Sequence, residues 1–275
     1  MWLEVGASTH RGPVRSENQD AYCTMIPPVT PRGVMAVLAV ADGMGGRQGG
    51  ATASRIAIET VVEEYAGVGS ISDAEMPGAS GSDRVSSAIQ RANARIRDNA
   101  RVPELAGMGT TMTVVSLADQ TISVGHVGDS RAYLVRNGEA VQLTRDHTWT
   151  AERERSGCVS PGEAPGDRRK GVLTRALGIG DEVEVDMSEL EINPGDLIVL
   201  CSDGLHGRVC DFEIARVVSS ASPSNAAKKL VRMANDAGGR DNVTVVVAGA
   251  RELEPERGRL SRLFRRNKPL RVVTG

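Results

Sequence analysis

Aromatic side chains are scarce in this 275-residue sequence: two Trp, three Tyr and two Phe make up only 3% of it. The core has therefore to be assembled from Val, Ile, Leu, Ala and Met. Cysteine is sparse too. Cys23, Cys158, Cys201 and Cys210 are irregularly spaced and form no paired motif of the zinc-binding kind. As reduced thiols they suit a cytoplasmic protein, and Cys201, inside an apolar run, reads as packing. No stretch reaches the ~18 consecutive apolar residues of a membrane span. Met1 to Gly12 also lacks the basic-then-apolar order of a secretion signal. Neither sign of charge dominates, and a formal net charge of -2 exerts no global pull on nucleic acid or acidic membranes. The remaining composition, 40% hydrophobic and 25% charged, is that of an ordinary globular chain long enough for one large domain or two small ones.

Short runs rich in Val and Ile predict strands at Val34 to Ala41, Thr111 to Leu117, Thr121 to Val127, Ala132 to Val135, Leu197 to Cys201 and Val243 to Val247. Asn137-Gly138 between two such runs is a hairpin signal, because both residues tolerate positive φ. Val85, Ala88, Ile89, Ala92 and Ile96 share one helical face. A second helix is expected from about Ala51 to Tyr65, with Ile56, Ala57, Val61 and Tyr65 on its apolar side. Ser222-Pro223 marks a cap and first-turn proline opening a third helix, which stops at Gly238-Gly239. Consecutive strands over 111 to 144 favour an antiparallel meander, with helices covering sheets. Residues 67 to 82 read as a surface loop and 148 to 170, with their Gly and Pro, as an irregular excursion.

Four aspartates share one context. Asp42, Asp129, Asp203 and Asp241 each stand at the start or end of an apolar strand beside Gly or Asn. A single Asp-Gly is ordinary turn chemistry. Four such tips converging would crowd like charges, which is tolerable only with cations between them. An oxygen donor set without a sulfur or histidine pair favours a hard ion, magnesium or manganese before zinc. The glycines from Gly43 to Gly50 let the backbone approach a metal or phosphate closely. They lack the Lys and following Ser/Thr of a nucleotide-binding P-loop, so an ATPase loses its main support.

Ordered blocks join these aspartates: Arg15-Ser16-Glu17-Asn18-Gln19-Asp20, Gly109-Thr110-Thr111, Leu143-Thr144-Arg145-Asp146-His147 and Leu173-Thr174-Arg175-Ala176-Leu177-Gly178. With the four aspartate blocks, and over about residues 5 to 249, the set resembles the metal-dependent protein phosphatases of the PPM, or type 2C, family in its bacterial form. The resemblance implies an α+β fold, a four-layer αββα sandwich of two mainly antiparallel sheets flanked by helix pairs. It implies a domain over 1–250, with a flap at about 148–170 beside the active site. It further implies hydrolysis of phosphoserine and phosphothreonine in proteins by a metal-activated water, without a phosphoenzyme, in a system with a cognate Ser/Thr kinase. Asp42 would bridge two Mn2+ or Mg2+ ions, with the Gly43 carbonyl, Asp203 and Asp241 completing the pair and Asp129 holding a weaker third. Arg15 would bind the substrate phosphate, where a planar guanidinium donates two parallel bonds. Gln19 and Asp20 would stand behind the ligands and support bound water.

The chain departs from the family pattern at three positions. Gln19 replaces a frequent Glu with a neutral amide, which holds a water differently. Met44 stands where eukaryotic members often carry a proton-donating His, although bacterial members commonly have Met there. Gly207 stands where the family often has Asp, removing a carboxylate from beside the third ion. These changes motivate two other readings: a catalytically weakened phosphatase-fold binding or regulatory protein, and a small-molecule phosphatase differing in the mouth of the cleft. His10, His126, His147 and His206 read as structural or surface residues, and Ser130 and Arg131 as fixing loop geometry. The tail 251–275 is expected to be solvated and disordered. Its run from Arg257 to Arg271 has no acidic residue, and Leu260, Leu263 and Phe264 give it an apolar face that suits an acidic partner or membrane surface.

Overall fold

The computed structural model describes residues 2–31, 33–45, 49–66, 80–157 and 171–251. Two antiparallel sheets form its centre. One has the order β1-β11-β10-β7-β8, made of Trp2–His10, Val243–Arg251, Leu197–Cys201, Arg131–Arg136 and Glu139–Gln142. The other has the order β2-β3-β5-β6-β9, made of Asp20–Met25, Val34–Met44, Met112–Ala118, Thr121–Val127 and Asp186–Glu191, with the short β4 (Gly109–Thr110) pairing on β3.

Strand period decides the layering, because successive side chains point to opposite faces. In β3, Val37, Ala39 and Ala41 enter a core beneath helices α1 (Gly49–Ala66) and α2 (Gly81–Asn99), whereas Ala36, Leu38 and Val40 enter the core between the sheets. In β11, Val243, Val245 and Val247 pack under α5 (Asp211–Ser219) and α6 (Pro223–Asp236), while Val246, Ala248 and Ala250 join the inter-sheet core. Both faces are buried, so these strands read as continuous apolar runs. A fully buried Val, Leu or Ile contributes roughly 1.5–3 kcal/mol; Tyr65 in the core under α1 and α2 and Tyr133 in the core under α5 and α6 are buried completely, and Tyr22 is buried between the sheets. The result is the expected four-layer αββα sandwich. Among the described residues no helix is long and apolar enough to cross a membrane.

The five residues assigned to one face of α2 are all fully buried. The helix starts earlier than expected: Ser80 and Asp83 form a reciprocal capping box, so Gly81 and Ser82 belong to it and not to the preceding loop. Residues 67–79 of that loop lie outside the described residues. Asn137 and Gly138 have φ of 54° and 82° and close the β7–β8 hairpin. Pro223 takes the first turn of α6 as expected, but the Ser222 side chain makes no capping bond. The irregular reading of 148–170 is corrected over its first part. Trp149–Arg155 is a helix, α3, because the Thr148 hydroxyl accepts from the Ala151 N–H and caps it. Residues 158–170, with Cys158, and the tail from 252 onward lie outside the described residues. Asp203–His206 forms a single turn, α4.

Candidate metal centre

Topology brings the aspartates together. β3 and β6 both run antiparallel to β5, so their C-terminal ends share one edge of the second sheet, placing Asp42 beside Asp129. In the first sheet β10 runs antiparallel to β11, so Asp203 just after β10 faces Asp241 just before β11. The sheets stack with these edges adjoining. Arg15, Gln19, Asp42, Gly43, Met44, Thr111, Asp129, Asp203, Asp241 and Asn242 line one cleft of ≈ 490 Å³, with Gly45, Gly171, Val172 and Leu173 at its remaining wall.

The backbone under Asp42 is held from both sides. Its N–H donates to Thr111 Oγ1 at 2.9 Å, and its carbonyl accepts from the Thr111 N–H at 2.9 Å and the Thr110 hydroxyl at 2.8 Å. Gly43 lies against Gly50 at the start of α1: a Cβ on Gly43 would stand 2.0 Å from the Gly50 carbonyl oxygen. The glycines of this stretch therefore let helix and strand backbones touch, a reason that the sequence reading did not include. Asn242 ties the far wall down. Its amide donates to the Arg11 and Glu17 carbonyls at 2.8 and 2.9 Å, and its Oδ1 accepts from the Gln19 N–H at 2.8 Å. The loop carrying Arg15 is thereby fastened to the turn carrying Asp241.

Like charge and burial dominate the electrostatics. The Asp42 carboxyl is pushed well above the ordinary range, first by burial and then by Asp20, Asp203, Asp129 and Asp241. Burial likewise raises Asp129 to about 7, helped by Asp203 and Asp146. Asp203 is raised by burial and by the neighbouring Asp241. Asp20 sits behind the cleft in cross-strand register with Asp42. It accepts from the Ser202 hydroxyl at 2.7 Å, and burial raises it to about 7 against that bond. One oxygen each of Asp20 and Asp203 is buried with no hydrogen-bond partner. Among the described residues no three His, Cys, Asp or Glu side chains stand close enough together to hold a metal ion as they are. The carboxylates instead line an open cleft, and orphaned oxygens in a crowded, wholly oxygen donor set fit hard divalent cations.

Arg15 stands at the rim, half-exposed, its Nη2 2.6 Å from Asp241 Oδ2. The cleft thus gathers every first-rank residue expected from sequence, and Gln19 with them, whereas Asp20 is set one layer back. Sequence reading assigned no role to Thr111, Asn242 or Asp146. Asp146 is gripped by two parallel bonds from Arg131 at 2.8 and 2.7 Å, which confirms Arg131 as a residue of loop geometry. The Asp241-Asn242 dipeptide before a strand was the one available signal for Asn242. Thr111 carried none beyond its block. His10 is exposed, His126 and His147 are buried, and His206 is half-buried.

Known proteins show the same arrangement of sequence and fold. A Mycobacterium tuberculosis protein, serine/threonine protein phosphatase PstP, is 35% identical over 247 residues, covering 90% of this chain and 45% of the relative. The chain thus spans about half of that relative's length. Protein phosphatase PhpP of Streptococcus pneumoniae is 31% identical over 257 residues, covering 92% of this chain and all of the relative. The crystal structure of the PstP catalytic domain in complex with two manganese ions superposes with a TM-score of 0.76 at 34% identity, over 91% of this chain and 99% of that one. Residues 30–243 match the family model of protein phosphatase 2C. That match takes in all four strand-tip aspartate blocks and most of both sheets, and with relatives above 30% identity across nine-tenths of the sequence, the chain belongs to the protein phosphatase 2C family.

Proposed function

We propose that this chain hydrolyses phosphoserine and phosphothreonine in proteins, using two Mn2+ or Mg2+ ions and possessing a weaker third site. The observation that carries the proposal is the meeting of four strand-tip aspartates and a rim arginine in one cleft. Bound there, the cations supply an activated water and offset charge on the phosphoryl oxygens. Asp42, the Gly43 carbonyl, Asp203 and Asp241, which line the cleft together, would hold the two ions. Asp129 serves the third site, from which Gly207 withholds a carboxylate. Gln19 and Asp20 hold water and ligands from behind. No histidine lines the cleft among the described residues, and Met44 cannot donate a proton. The proton for the leaving oxygen therefore comes from water or from another group. The manganese-bound PstP domain supports the choice of cation.

The same reading treats 1–250 as the catalytic domain and the tail as a separate segment. It also gives the chain phosphoprotein substrates, an opposing Ser/Thr kinase and a cytoplasmic setting, which the buried free thiols Cys23 and Cys201 suit. The test is hydrolysis of a phosphothreonine peptide with manganese, with magnesium and with chelator. Turnover that depends on metal is expected, and a folded protein inactive with both metals would overturn the proposal.

Arg15 must exchange Asp241 for the phosphate when substrate enters. A lysine keeps the charge but not the planar fork. Arg15→Lys is expected to raise KM about tenfold, the equivalent of one charge-assisted bond at about 1.4 kcal/mol, with a smaller change in kcat. Steady-state kinetics on the same peptide decide it, and an unchanged KM would remove Arg15 from phosphate binding.

A further inference from the structure

The turn Gly128-Asp129-Ser130 is gripped by histidines that the phosphatase reading leaves unused. The His147 N–H donates to the Gly128 carbonyl at 2.7 Å, and the Gly128 N–H donates back to His147 Nδ1 at 3.1 Å, so one residue holds both sides of Gly128. From the other side, His206 Nε2 lies 2.9 Å from the Asp129 carbonyl oxygen. His126 backs this arrangement. Its ring packs 4.9 Å from that of His147, its Nδ1 meets the Thr113 hydroxyl at 2.9 Å, and its Nε2 meets the Arg145 carbonyl at 3.0 Å. Ser130 is tied by its hydroxyl, 2.8 Å from Thr111 Oγ1, the same atom that receives the Asp42 N–H.

The partners dictate the protonation of each ring. A carbonyl only accepts, so Nε2 of His126 and of His206 must carry hydrogen. An N–H only donates, so Nδ1 of His147 must be bare, which leaves its hydrogen on Nε2, 3.2 Å from Asp186 Oδ2 though off a good hydrogen-bond line. All three rings are therefore required in the same Nε2–H form. Burial lowers the pKa of all three, His126 and His206 to about 4, so the neutral form holds at neutral pH.

We propose that His147 and His206 are positioning residues for Asp129: they lock its turn from two sides and hold its carboxylate toward the cleft. The proposal rests on the reading of Asp129 as a ligand of the third cation. Partners of this kind set metal affinity by roughly 10–100-fold without touching the ion.

The test is equilibrium Mn2+ titration of the full chain by calorimetry, with melting curves to establish folding. His206→Leu and His147→Leu are expected to weaken the weakest Mn2+ step about tenfold. His147→Asn, which keeps an acceptor near Nδ1, and His206→Gln, which keeps a donor, should restore most of that loss. Asp129→Asn combined with His206→Leu should bind no more weakly than Asp129→Asn alone. Additive losses, or no loss in the leucine variants while Asp129→Asn shows one, would overturn the proposal. If Asp129→Asn itself leaves binding unchanged, the third-cation reading fails, and amide exchange at Gly128 decides the clamp: faster exchange in His147→Leu upholds it, unchanged protection removes it. Imidazole nitrogen spectra at pH 7 should show the Nε2–H form at all three histidines, and an Nδ1–H form at His147 or His206 would contradict the geometry.

Discussion

Asp42→Asn is expected to lower metal-dependent turnover of a phosphothreonine peptide by more than about 100-fold, since residues merely behind a metal ligand already account for 10–100-fold. The same substitution should stabilise the chelated protein. Asp42 is buried among Asp20, Asp203, Asp129 and Asp241, and its carboxyl is held far above its ordinary value of 3.8 by burial and then by these neighbours. At low pH it is protonated in both folded and unfolded chains. As pH rises past the unfolded value, the unfolded chain releases the proton and the folded one retains it. Folding stability is therefore lost progressively up through the raised folded value. An amide, which does not ionise, escapes this loss. The melting temperature in chelator should thus fall less steeply from pH 5 to 8 in Asp42→Asn than in the wild type. A relief of about 1 kcal/mol would raise it by roughly 2–4 °C at neutral pH. Turnover near the wild-type level would remove Asp42 from the metal centre, and an equal slope of melting temperature against pH would show that its charge is not confined.

Gly204→Ala should damage fold and site together. A Cβ at Gly204 would stand 1.9 Å from the Asn242 carbonyl oxygen and 3.0 Å from its carbonyl carbon, a collision with backbone and not with a side chain that can rotate away. Forced overpacking of this kind destabilises by about 3 kcal/mol, or roughly 6–12 °C in melting temperature. The displaced segments are those carrying Asp203 and Asp241, so turnover should also fall at temperatures where the variant is still folded. Gly171→Ala is the control for stability, because its Cβ would meet nothing within 4 Å among the described residues. A melting temperature for Gly204→Ala equal to that of the control would mean that the turn gives way freely.

Central strands buried on both faces were legible in the sequence to within a few residues, because burial on both sides demands an uninterrupted apolar run, whereas β2, buried on both faces at a sheet edge, was missed. Edge strands were not. β1 (Trp2–His10) and β9 (Asp186–Glu191) are held by their ladders to β11 and β6, and β9 carries three acidic residues with most of its side chains toward solvent. Helix α5 was missed for a related reason: it is only nine residues long, and its one aromatic, Phe212, points outward at 74% exposure. In the site, the aspartates could be found from their place at strand tips. Thr111, Asn242, His147 and His206 could not, since each acts through bonds to backbone atoms brought near only by folding. Asn242, for example, reaches carbonyls more than 220 positions away in sequence.

The cleft lies on the seam between the two sheets. Asp42 and Asp129 travel with one sheet, Asp203 and Asp241 with the other, and the layer of Leu38, Val40, Val115, Leu200 and Val246 sets how the sheets rest on each other. Carboxylate spacing is consequently a gauge of sheet registry. A change of side-chain volume deep in that layer, out of contact with any ligand, alters the gap that the cations must bridge. Drift in the aliphatic filling of the sandwich thereby becomes a route for tuning metal preference while every ligand stays the same.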